Sequence, residues 1–132
     1  MWHAAGLLAD GVLPRQSAER LARVLAPKAL GASVMQRATQ MAPLQACVLF
    51  SSTAALLGGA GQANYSASNA ALDACSAICR LQGCACVSVQ WAAWAEVGMA
   101  ARGAASERMA AMEAASGFGR IGLAQGLATL GT

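Results

Sequence analysis

Two short apolar runs on either side of one long helical pattern constrain the fold of this chain more than any other feature of its sequence. The first run, over 47–52, reads Cys-Val-Leu-Phe-Ser-Ser, and the second, over 84–91, contains the β-branched residues Val87 and Val89. Runs of this kind are typical of strands that are buried on both faces of a parallel sheet. The pattern between them, over 64–81, is helical. Alternating strands and helices predict a layered α/β fold.

A second helical pattern precedes this strand–helix–strand unit. Ser17 is placed to cap a helix that runs to Leu25, because a serine hydroxyl accepts a hydrogen bond from an amide of the first turn. Glu19 lies in that first turn, where a negative charge meets the positive end of the helix dipole. Pro27 is predicted to kink or interrupt the helix, and Gly31 is predicted to end it.

The remaining elements are read from periodicity and from glycine. Helices are predicted over 104–115 and 122–130, and Gly83 is predicted to end the central helix. The glycine-rich segment 58–61 is predicted to be a flexible connection. Two sets of positions are candidates for the buried side of the central helix: Leu72, Ser76 and Cys79, or Ala71, Ala74, Cys75 and Ile78.

Composition excludes several classes of protein. The chain is 57 % hydrophobic and 11 % charged, which argues against a disordered tail. Its net charge is +3 with scattered basic residues, so no nucleic acid is expected as a partner. No apolar run reaches the roughly 20 residues of a membrane span, and the start lacks the pattern of a signal peptide. The five cysteines are odd in number and lie mostly in apolar segments, so we expect buried reduced thiols in a cytoplasmic protein rather than disulfides or a metal site.

Four polar residues form the set with the strongest chemical meaning. Ser52 ends the first apolar run, where ligands bind in open α/β sheets, and Tyr65 follows thirteen residues later. Asn69 lies four residues after Tyr65, so both side chains point to one face of a helix. Lys28, which is the one lysine of the chain, follows the predicted kink. Ser51 is the alternative to Ser52.

Such a set is suited to donating a proton to a carbonyl oxygen. A tyrosine hydroxyl has an ordinary pKa near 10, and a nearby lysine ammonium lowers the pKa of that hydroxyl by favouring the phenolate. A serine hydroxyl can hydrogen-bond the oxygen on which negative charge develops. An asparagine amide can hold a water that relays protons. Hydride must come from a cofactor, because no side chain supplies it.

Several stretches together resemble one protein family. They are 3–13 (His-Ala-Ala-Gly-Leu-Leu-Ala-Asp-Gly-Val-Leu), 27–32 (Pro-Lys-Ala-Leu-Gly-Ala), 48–52, 61–74 (Gly-Gln-Ala-Asn-Tyr-Ser-Ala-Ser-Asn-Ala-Ala-Leu-Asp-Ala) and 91–100 (Trp-Ala-Ala-Trp-Ala-Glu-Val-Gly-Met-Ala). Their order and spacing resemble the C-terminal part of a ketoreductase domain of a type I polyketide synthase. That family is a branch of the short-chain dehydrogenase/reductase superfamily.

The resemblance implies a role for each residue of the polar set. Tyr65 becomes the proton donor, Ser52 the hydroxyl that orients the carbonyl, Lys28 the ammonium and Asn69 its partner. Lysine and asparagine are exchanged in this family relative to simpler short-chain reductases, which carry Tyr-x-x-x-Lys. The lysine at 28 and the asparagine at 69 fit the exchanged form.

The resemblance also implies a cofactor, NADPH, and positions that line it. The implied cofactor residues are Ala4, Ala5, Gly6, Lys28, Tyr65, Gly98 and Met99. Two further positions bear on stereochemistry. Asp10 ends a stretch that resembles the Leu-Asp-Asp fingerprint of B-type ketoreductases, and Leu57 stands where the opposite type carries tryptophan. Together they favour the B type.

The expected architecture is a partial Rossmann-like fold: a parallel sheet flanked by helices, lacking the N-terminal cofactor-binding half. Residues 1–132 would form part of a ketoreductase domain truncated at its N-terminus and, we expect, at its C-terminus. The isolated chain is expected to bind NADPH very weakly or not at all. The implied activity is NADPH-dependent reduction of a β-ketoacyl thioester on an acyl carrier protein in polyketide or fatty-acid-like biosynthesis. The implied partners are the missing N-terminal half and neighbouring synthase domains. Two alternatives stay open: an inactive fragment or structural pseudo-domain, and a stand-alone short-chain reductase of a small ketone.

Overall fold

The computed structural model of the chain describes residues 1–98, 107, 110, 111, 113, 114, 117 and 119–131. Within these residues three strands, β1 (Trp2–His3), β2 (Cys47–Ser52) and β3 (Cys86–Trp91), form one sheet in the order β1-β2-β3. β1 and β2 are parallel, with His3 opposite Leu49. Because the two strands run in the same direction, their carboxyl ends lie at one edge of the sheet, where ligands bind in this class of fold.

Helices account for most of the remaining described residues. They are α1 (Ala18–Leu25), a π-helical segment (Ala26–Leu30), α2 (Gly31–Ala38), α3 (Ala54–Leu57), α4 (Ala63–Leu81) and α5 (Leu123–Leu130), with a 3₁₀ turn at Leu13–Arg15. None of the helices in the described residues is long and apolar enough to span a membrane. The chain divides into two compact units, Met1–Gln90 and Trp91–Thr132.

The start of α1 confirms the predicted cap. The Ser17 hydroxyl accepts a hydrogen bond from the amide of Arg20 at 3.3 Å, and α1 begins at the next residue, Ala18. A hydrogen bond from Ser17 also lowers the pKa of the Glu19 carboxyl. The local sequence therefore determines where this helix begins.

The end of that helix differs from the prediction. Pro27 does interrupt the α-helical pattern, because the segment Ala26–Leu30 is π-helical. Gly31 was expected to end the helix, and this prediction was wrong: Gly31 has right-handed helical angles (φ −57°, ψ −47°) and begins α2. A β-carbon at Gly31 would lie 3.2 Å from Cε1 of His3. The glycine therefore serves close packing against a histidine ring rather than helix termination.

Strand β2 has the predicted bounds, but its burial differs from the prediction. Cys47, Leu49 and Ser51 are buried, whereas the alternate residues are only half-buried. Helix α4 packs against β2. On the other face the Phe50 ring lies 6.2 Å from the ring of Trp2, which is 57 % exposed. The strand is therefore fully buried on one face, and the expectation of two buried faces was wrong.

Strand β3 begins at Cys86 instead of Cys84. The amide of Cys84 donates to the carbonyl of Cys79 at 3.0 Å, so this residue completes the C-terminus of α4. Gly83 has a φ of +81°, a conformation that favours glycine and closes a helix. The predicted end of the central helix at Gly83 is thus confirmed. Because the turn after the helix includes Cys84, the strand is two residues shorter than predicted.

The core of the N-terminal unit lies between α4 and the sheet. It is formed by Ala32, Cys47, Leu49, Leu72, Cys79 and Cys86. Leu72, Ser76 and Cys79 are buried and Ile78 is 55 % exposed, which confirms the first of the two predicted faces of the central helix. All five cysteines are free, and burial is the main reason why the pKa of Cys86 rises to about 12.

The C-terminal unit packs a tryptophan on a glycine of α5. The Trp94 ring occupies the space that a β-carbon of Gly126 would need, and the Trp91 and Trp94 rings lie 5.0 Å apart. Glu96 accepts a hydrogen bond from the amide of Leu123 at 2.9 Å. The predicted helix over 122–130 is therefore present. The one over 104–115 lies largely outside the described residues.

Candidate active site

Tyr65 lies in the first turn of α4, and the residue before it fixes that turn. Asn64 is buried, and its Oδ1 accepts from the amide of Tyr65 at 2.8 Å. The amide nitrogen Nδ2 of Asn64 donates to the carbonyl of Ala9 at 2.9 Å. Both ends of one side chain are therefore used to hold the start of the helix against a neighbouring loop. Tyr65 itself is half-buried.

Lys28 reaches Tyr65 from the π-helical segment. Its residue is only 3 % exposed, and Nζ donates to the carbonyl of Phe50 at 2.8 Å. The same Nζ lies 5.7 Å from the centre of the Tyr65 ring, within the range of a cation–π interaction. Burial lowers the pKa of Lys28 to about 8, and the Asp73 carboxylate opposes part of that change. The ammonium can therefore exchange its proton near neutral pH.

Asn69 is fully buried one turn after Tyr65. Its Nδ2 donates to the carbonyl of Tyr65 at 2.8 Å, and the hydroxyl of Ser68 donates to the same oxygen at 2.8 Å. In the part of the chain that the structure describes, Oδ1 of Asn69 has no hydrogen-bond partner. A buried polar atom without a partner costs free energy, so this oxygen is available to a bound donor such as water.

The two serines at the end of β2 have different surroundings. The Ser51 hydroxyl is buried and donates to the carbonyl of Asn69 at 3.2 Å. Ser52 is half-buried, and its Oγ accepts from the amide of Ala54 at 3.2 Å. Ser51 thus joins strand to helix inside the core, while Ser52 lies at the carboxyl end of the strand with its proton still available for donation.

The loop that contains Asp10 lies against the first turn of α4. Gln62 Nε2 donates to Asp10 Oδ2 at 3.3 Å, and the amide of Gly11 donates to the carbonyl of Gly61 at 2.8 Å. Together with the bond from Asn64, these contacts hold Asp10, the predicted stereochemistry position, against the start of the helix that carries Tyr65. Leu57, the second such position, ends α3 and is 65 % exposed. Sequence reasoning missed Gln62 and Asn64, although both lie in the motif that carries Tyr65.

Asp73 lies on the same face of α4 as Tyr65 and Asn69. Asp73 follows at the same spacing of four, and its carboxylate accepts from the hydroxyl of Ser88 at 2.6 Å and from Nε2 of Gln90 at 2.8 Å. The spacing of residues 65, 69 and 73 was the available signal, and sequence reasoning did not use it. Asp73 supplies negative charge that favours the protonated form of Lys28.

The residues predicted to line a nicotinamide cofactor belong to both compact units of the chain. Ala4, Ala5 and Gly6 are exposed and directly follow β1, at the sheet edge where β2 also ends. Their small side chains leave the backbone open, and the Lys28 ammonium and the unpartnered Asn69 oxygen lie in the same unit. These residues fit the nicotinamide end of such a cofactor. Gly98 is exposed with a φ of +86°, and Met99 lies outside the described residues.

A metal centre is not indicated in the described residues, where no group of three or more His, Cys, Asp or Glu side chains could hold an ion. The chemistry of the site is instead that of a tyrosine hydroxyl beside a buried ammonium. A tyrosine hydroxyl in this position can give a proton to a neighbouring oxygen. This pairing of groups is suited to protonating an oxygen that gains negative charge.

The chain is similar in sequence to known proteins. The sequence matches the KR domain family over residues 1–96. It is 52 % identical over 107 residues to the polyketide synthase GfsB of Streptomyces halstedii, across 81 % of this chain and 2 % of that synthase. The chain therefore spans only a small part of that relative.

Two solved structures have the same fold. The ketoreductase from the first module of phoslactomycin biosynthesis in a Streptomyces species superposes with a TM-score of 0.83 and is 36 % identical, covering 98 % of this chain and 29 % of that one. A ketoreductase domain from the bacillaene assembly line has a TM-score of 0.88 at 28 % identity, covering 98 % of this chain and 32 % of that one. The fold of this chain corresponds to under a third of either structure.

Proposed function

The chain belongs to the KR domain family, in the short-chain dehydrogenase/reductase superfamily, and from this premise we propose that it carries the proton-donating half of a ketoreductase active site. The whole reaction would be reduction of a β-ketoacyl thioester, held on an acyl carrier protein, to the β-hydroxyacyl thioester. One observation carries the proposal: Lys28 Nζ lies 5.7 Å from the centre of the Tyr65 ring, although the two residues are 37 positions apart in the sequence.

Each residue of the site has a role in this proposal. NADPH, when bound, supplies the hydride. Tyr65 gives its hydroxyl proton to the oxygen of the carbonyl as that oxygen gains negative charge. Ser52 donates a hydrogen bond to the same oxygen and orients it. Lys28 stabilises the phenolate, since a neighbouring cation favours the charged form.

Asn69 completes the proposed proton path. Its Oδ1 is fully buried and has no partner among the described residues, which supports a role in holding a water molecule. Such a water would return a proton to Tyr65 after each turnover. Because Nδ2 is already bonded to the Tyr65 carbonyl, the orientation of the amide is fixed and Oδ1 is kept free for the water.

The proposal extends to the surroundings of the site. Ala4, Ala5, Gly6, Lys28 and Tyr65 would line the nicotinamide end of NADPH. A cofactor role for Gly98 and Met99 stays a prediction from the resemblance. The turn that holds the diphosphate would come from the N-terminal half of the domain, which we propose as a partner along with neighbouring synthase domains. Five free cysteines support a reducing compartment, the cytoplasm.

Tyr65→Phe in the complete ketoreductase domain tests the proton-donating role. We expect turnover of a short β-keto thioester to fall by about 10²–10⁴-fold, the usual contribution of a positioned general acid. NADPH affinity, measured by the fluorescence of the reduced nicotinamide, should stay unchanged, because the ring of the side chain is retained. Turnover within tenfold of the unsubstituted domain would refute the role. An unsubstituted domain that binds NADPH but reduces nothing would favour the inactive pseudo-domain instead.

Stereochemistry is a separate part of the proposal. The Asp10 loop is tied to the start of α4 by three hydrogen bonds, from Gln62, Asn64 and Gly11, which supports a role for the Asp10 position at the proposed site. The B type itself is proposed from the resemblance of the fingerprint. We expect the complete domain to make the alcohol configuration typical of B-type ketoreductases. Chiral chromatography of the reduced thioester would measure it, and a product of the opposite configuration would contradict the assignment.

A further inference from the structure

His3 contacts the active-site lysine segment from the neighbouring strand. It is buried in β1, and its Nε2 lies 3.1 Å from the main-chain carbonyl oxygen of Lys28. A carbonyl oxygen can only accept a hydrogen bond, so Nε2 must carry the proton. The chain has one histidine, and its side chain makes a buried, directional contact with Lys28.

The segment that His3 contacts has an irregular backbone. Pro27 lacks an amide hydrogen, and Ala26–Leu30 adopts a π-helical turn. At the end of that turn the amide of Gly31 is shared between the carbonyls of Ala26 and Lys28. π-Helical turns are less favourable than α-helical ones and are often found at functional sites. An outside donor to the Lys28 carbonyl therefore stabilises a conformation that the segment would not keep by itself.

The packing around the ring is equally specific. A β-carbon at position 31 would lie 3.2 Å from Cε1 of His3 and 3.6 Å from its Nε2. The absence of a side chain at Gly31 thus allows the helix to approach the imidazole closely. His3, which precedes the exposed segment 4–6, therefore packs closely against Gly31, which follows the π-helical turn.

We propose that His3 is a positioning residue for Lys28: its Nε2–H holds the π-helical turn in the form that directs Nζ toward the Phe50 carbonyl and the Tyr65 ring. The main chain of Lys28 is then held by His3 and its side chain by Phe50, at 3.1 Å and 2.8 Å. The importance of this contact for catalysis rests on the proposed function of Lys28. The contact itself is observed whatever that function is. Without the donor, the turn relaxes toward an α-helix and the direction of the Lys28 side chain changes.

The composition of the chain gives this proposal a direct test. Histidine, lysine and tyrosine each occur once, so selective labelling of any of them gives a single assigned NMR signal in the full 132-residue chain. The ¹⁵N shifts of the imidazole identify the protonated nitrogen. The ¹³Cε shift of Lys28 follows the titration of its amine, and a nuclear Overhauser effect between Lys28 Hε and the Tyr65 ring reports their distance.

Two substitutions at position 3 separate the hydrogen bond from the volume of the ring. His3→Gln keeps an amide donor close to the place of Nε2, and His3→Met fills similar space without a donor. We expect the unsubstituted chain and His3→Gln to share the lowered pKa of Lys28 and the Overhauser effect to Tyr65. In His3→Met the pKa of Lys28 should rise by about 1 unit or more toward its ordinary value of 10.5, and the Overhauser effect should be lost.

The proposal is overturned if folded His3→Met keeps both signals, or if the unsubstituted chain carries the proton on Nδ1. Should His3→Met fail to fold, Gly31→Ala provides the same test, since its β-carbon displaces the ring while the histidine remains and alanine favours the helix. An unchanged Lys28 signal in Gly31→Ala would then overturn the proposal. No turnover is measured, so failure of the ketoreductase function would leave these outcomes unaffected.

Discussion

The two halves of helix α4 bury different kinds of side chain against the rest of the N-terminal unit. The front half, residues 63–70, buries the polar side chains of Asn64, Ser68 and Asn69, whereas the back half, residues 71–81, buries Leu72 and Cys79 against the sheet, with Ser76 beside them. Both halves face the rest of the N-terminal unit with the helical spacing. The front half is held by hydrogen bonds to main-chain atoms, and the back half by the apolar core.

This difference has a physical consequence. Hydrogen bonds contribute little net free energy to folding but fix direction, and apolar burial contributes more but fixes direction less. The front half accordingly orients Tyr65, while the back half supplies the stability that keeps the polar front half folded. One polar atom of the front half, Oδ1 of Asn69, has no partner among the described residues. The site therefore gives up some stability in the half that carries the proposed proton donor.

The largest expected effect comes from removing apolar volume in the back half. Leu72→Ala should lower the free energy of unfolding of the chain by about 2–5 kcal/mol, the usual cost of a core leucine truncation, because Leu72 is fully buried in the core. Urea denaturation would measure it. Leu81→Ala, in the same helix at a residue that is 88 % exposed, is the matched control and should change the value by less than about 0.5 kcal/mol. Equal losses in the two variants would show that the back half does not carry the core.

The second effect concerns the cation that lies against the front half. The folded-state pKa of Lys28 is about 8, below the ordinary value of 10.5, so between these pH values the unfolded chain binds more protons than the folded chain. Stability from this group must therefore rise as pH increases from about 8 to about 10.5. We expect the difference in unfolding free energy between the unsubstituted chain and Lys28→Met to increase by about 1–3 kcal/mol over this window.

Lys28→Met serves here as the reference for other groups that titrate in the same range. The pKa of Cys86 is raised to about 12, so that thiol lowers stability as pH rises above its ordinary value, in both proteins alike. Subtracting one curve from the other removes this contribution. A difference that stays flat or decreases between pH 8 and 10.5 would mean that the lysine is not desolvated beside Tyr65.

The smallest effect on stability is expected at Asn69. Asn69→Leu has similar volume and removes a buried oxygen without a partner. It also removes the hydrogen bond from Nδ2 to the Tyr65 carbonyl, but the Ser68 hydroxyl still donates to that carbonyl, so the free energy of unfolding should change by less than about 1 kcal/mol. In Asn64→Leu, both bonded ends of an equally buried amide are lost, and about 1–3 kcal/mol should be lost with them. Urea denaturation of the two variants side by side would check the contrast. If Asn69→Leu is the more damaging substitution, the front half is not arranged for function at the expense of stability.

Much of the fold was predictable because local patterns decide it. The bounds of β2, the Ser17 cap of α1 and the end of α4 at Gly83 follow from apolar spacing, a side-chain cap and a left-handed residue, each of which involves near neighbours in the chain. The predictions that were wrong depend on contacts between residues that are far apart in the chain. Gly31 begins a helix and leaves room for the histidine of β1, and β2 is buried on the face that α4 covers.

The candidate site divides in the same way. The sequence by itself determined which residues have the right chemistry, because the chain contains a single tyrosine and a single lysine and because the spacing of 65 and 69 is that of one helix face. Only the tertiary structure decided that Lys28 is desolvated, that its carbonyl is held by His3 and that Asn64 bonds to Ala9. These properties depend on dielectric surroundings and on contacts between residues 25 to 55 positions apart, and no local pattern of side chains contains that information.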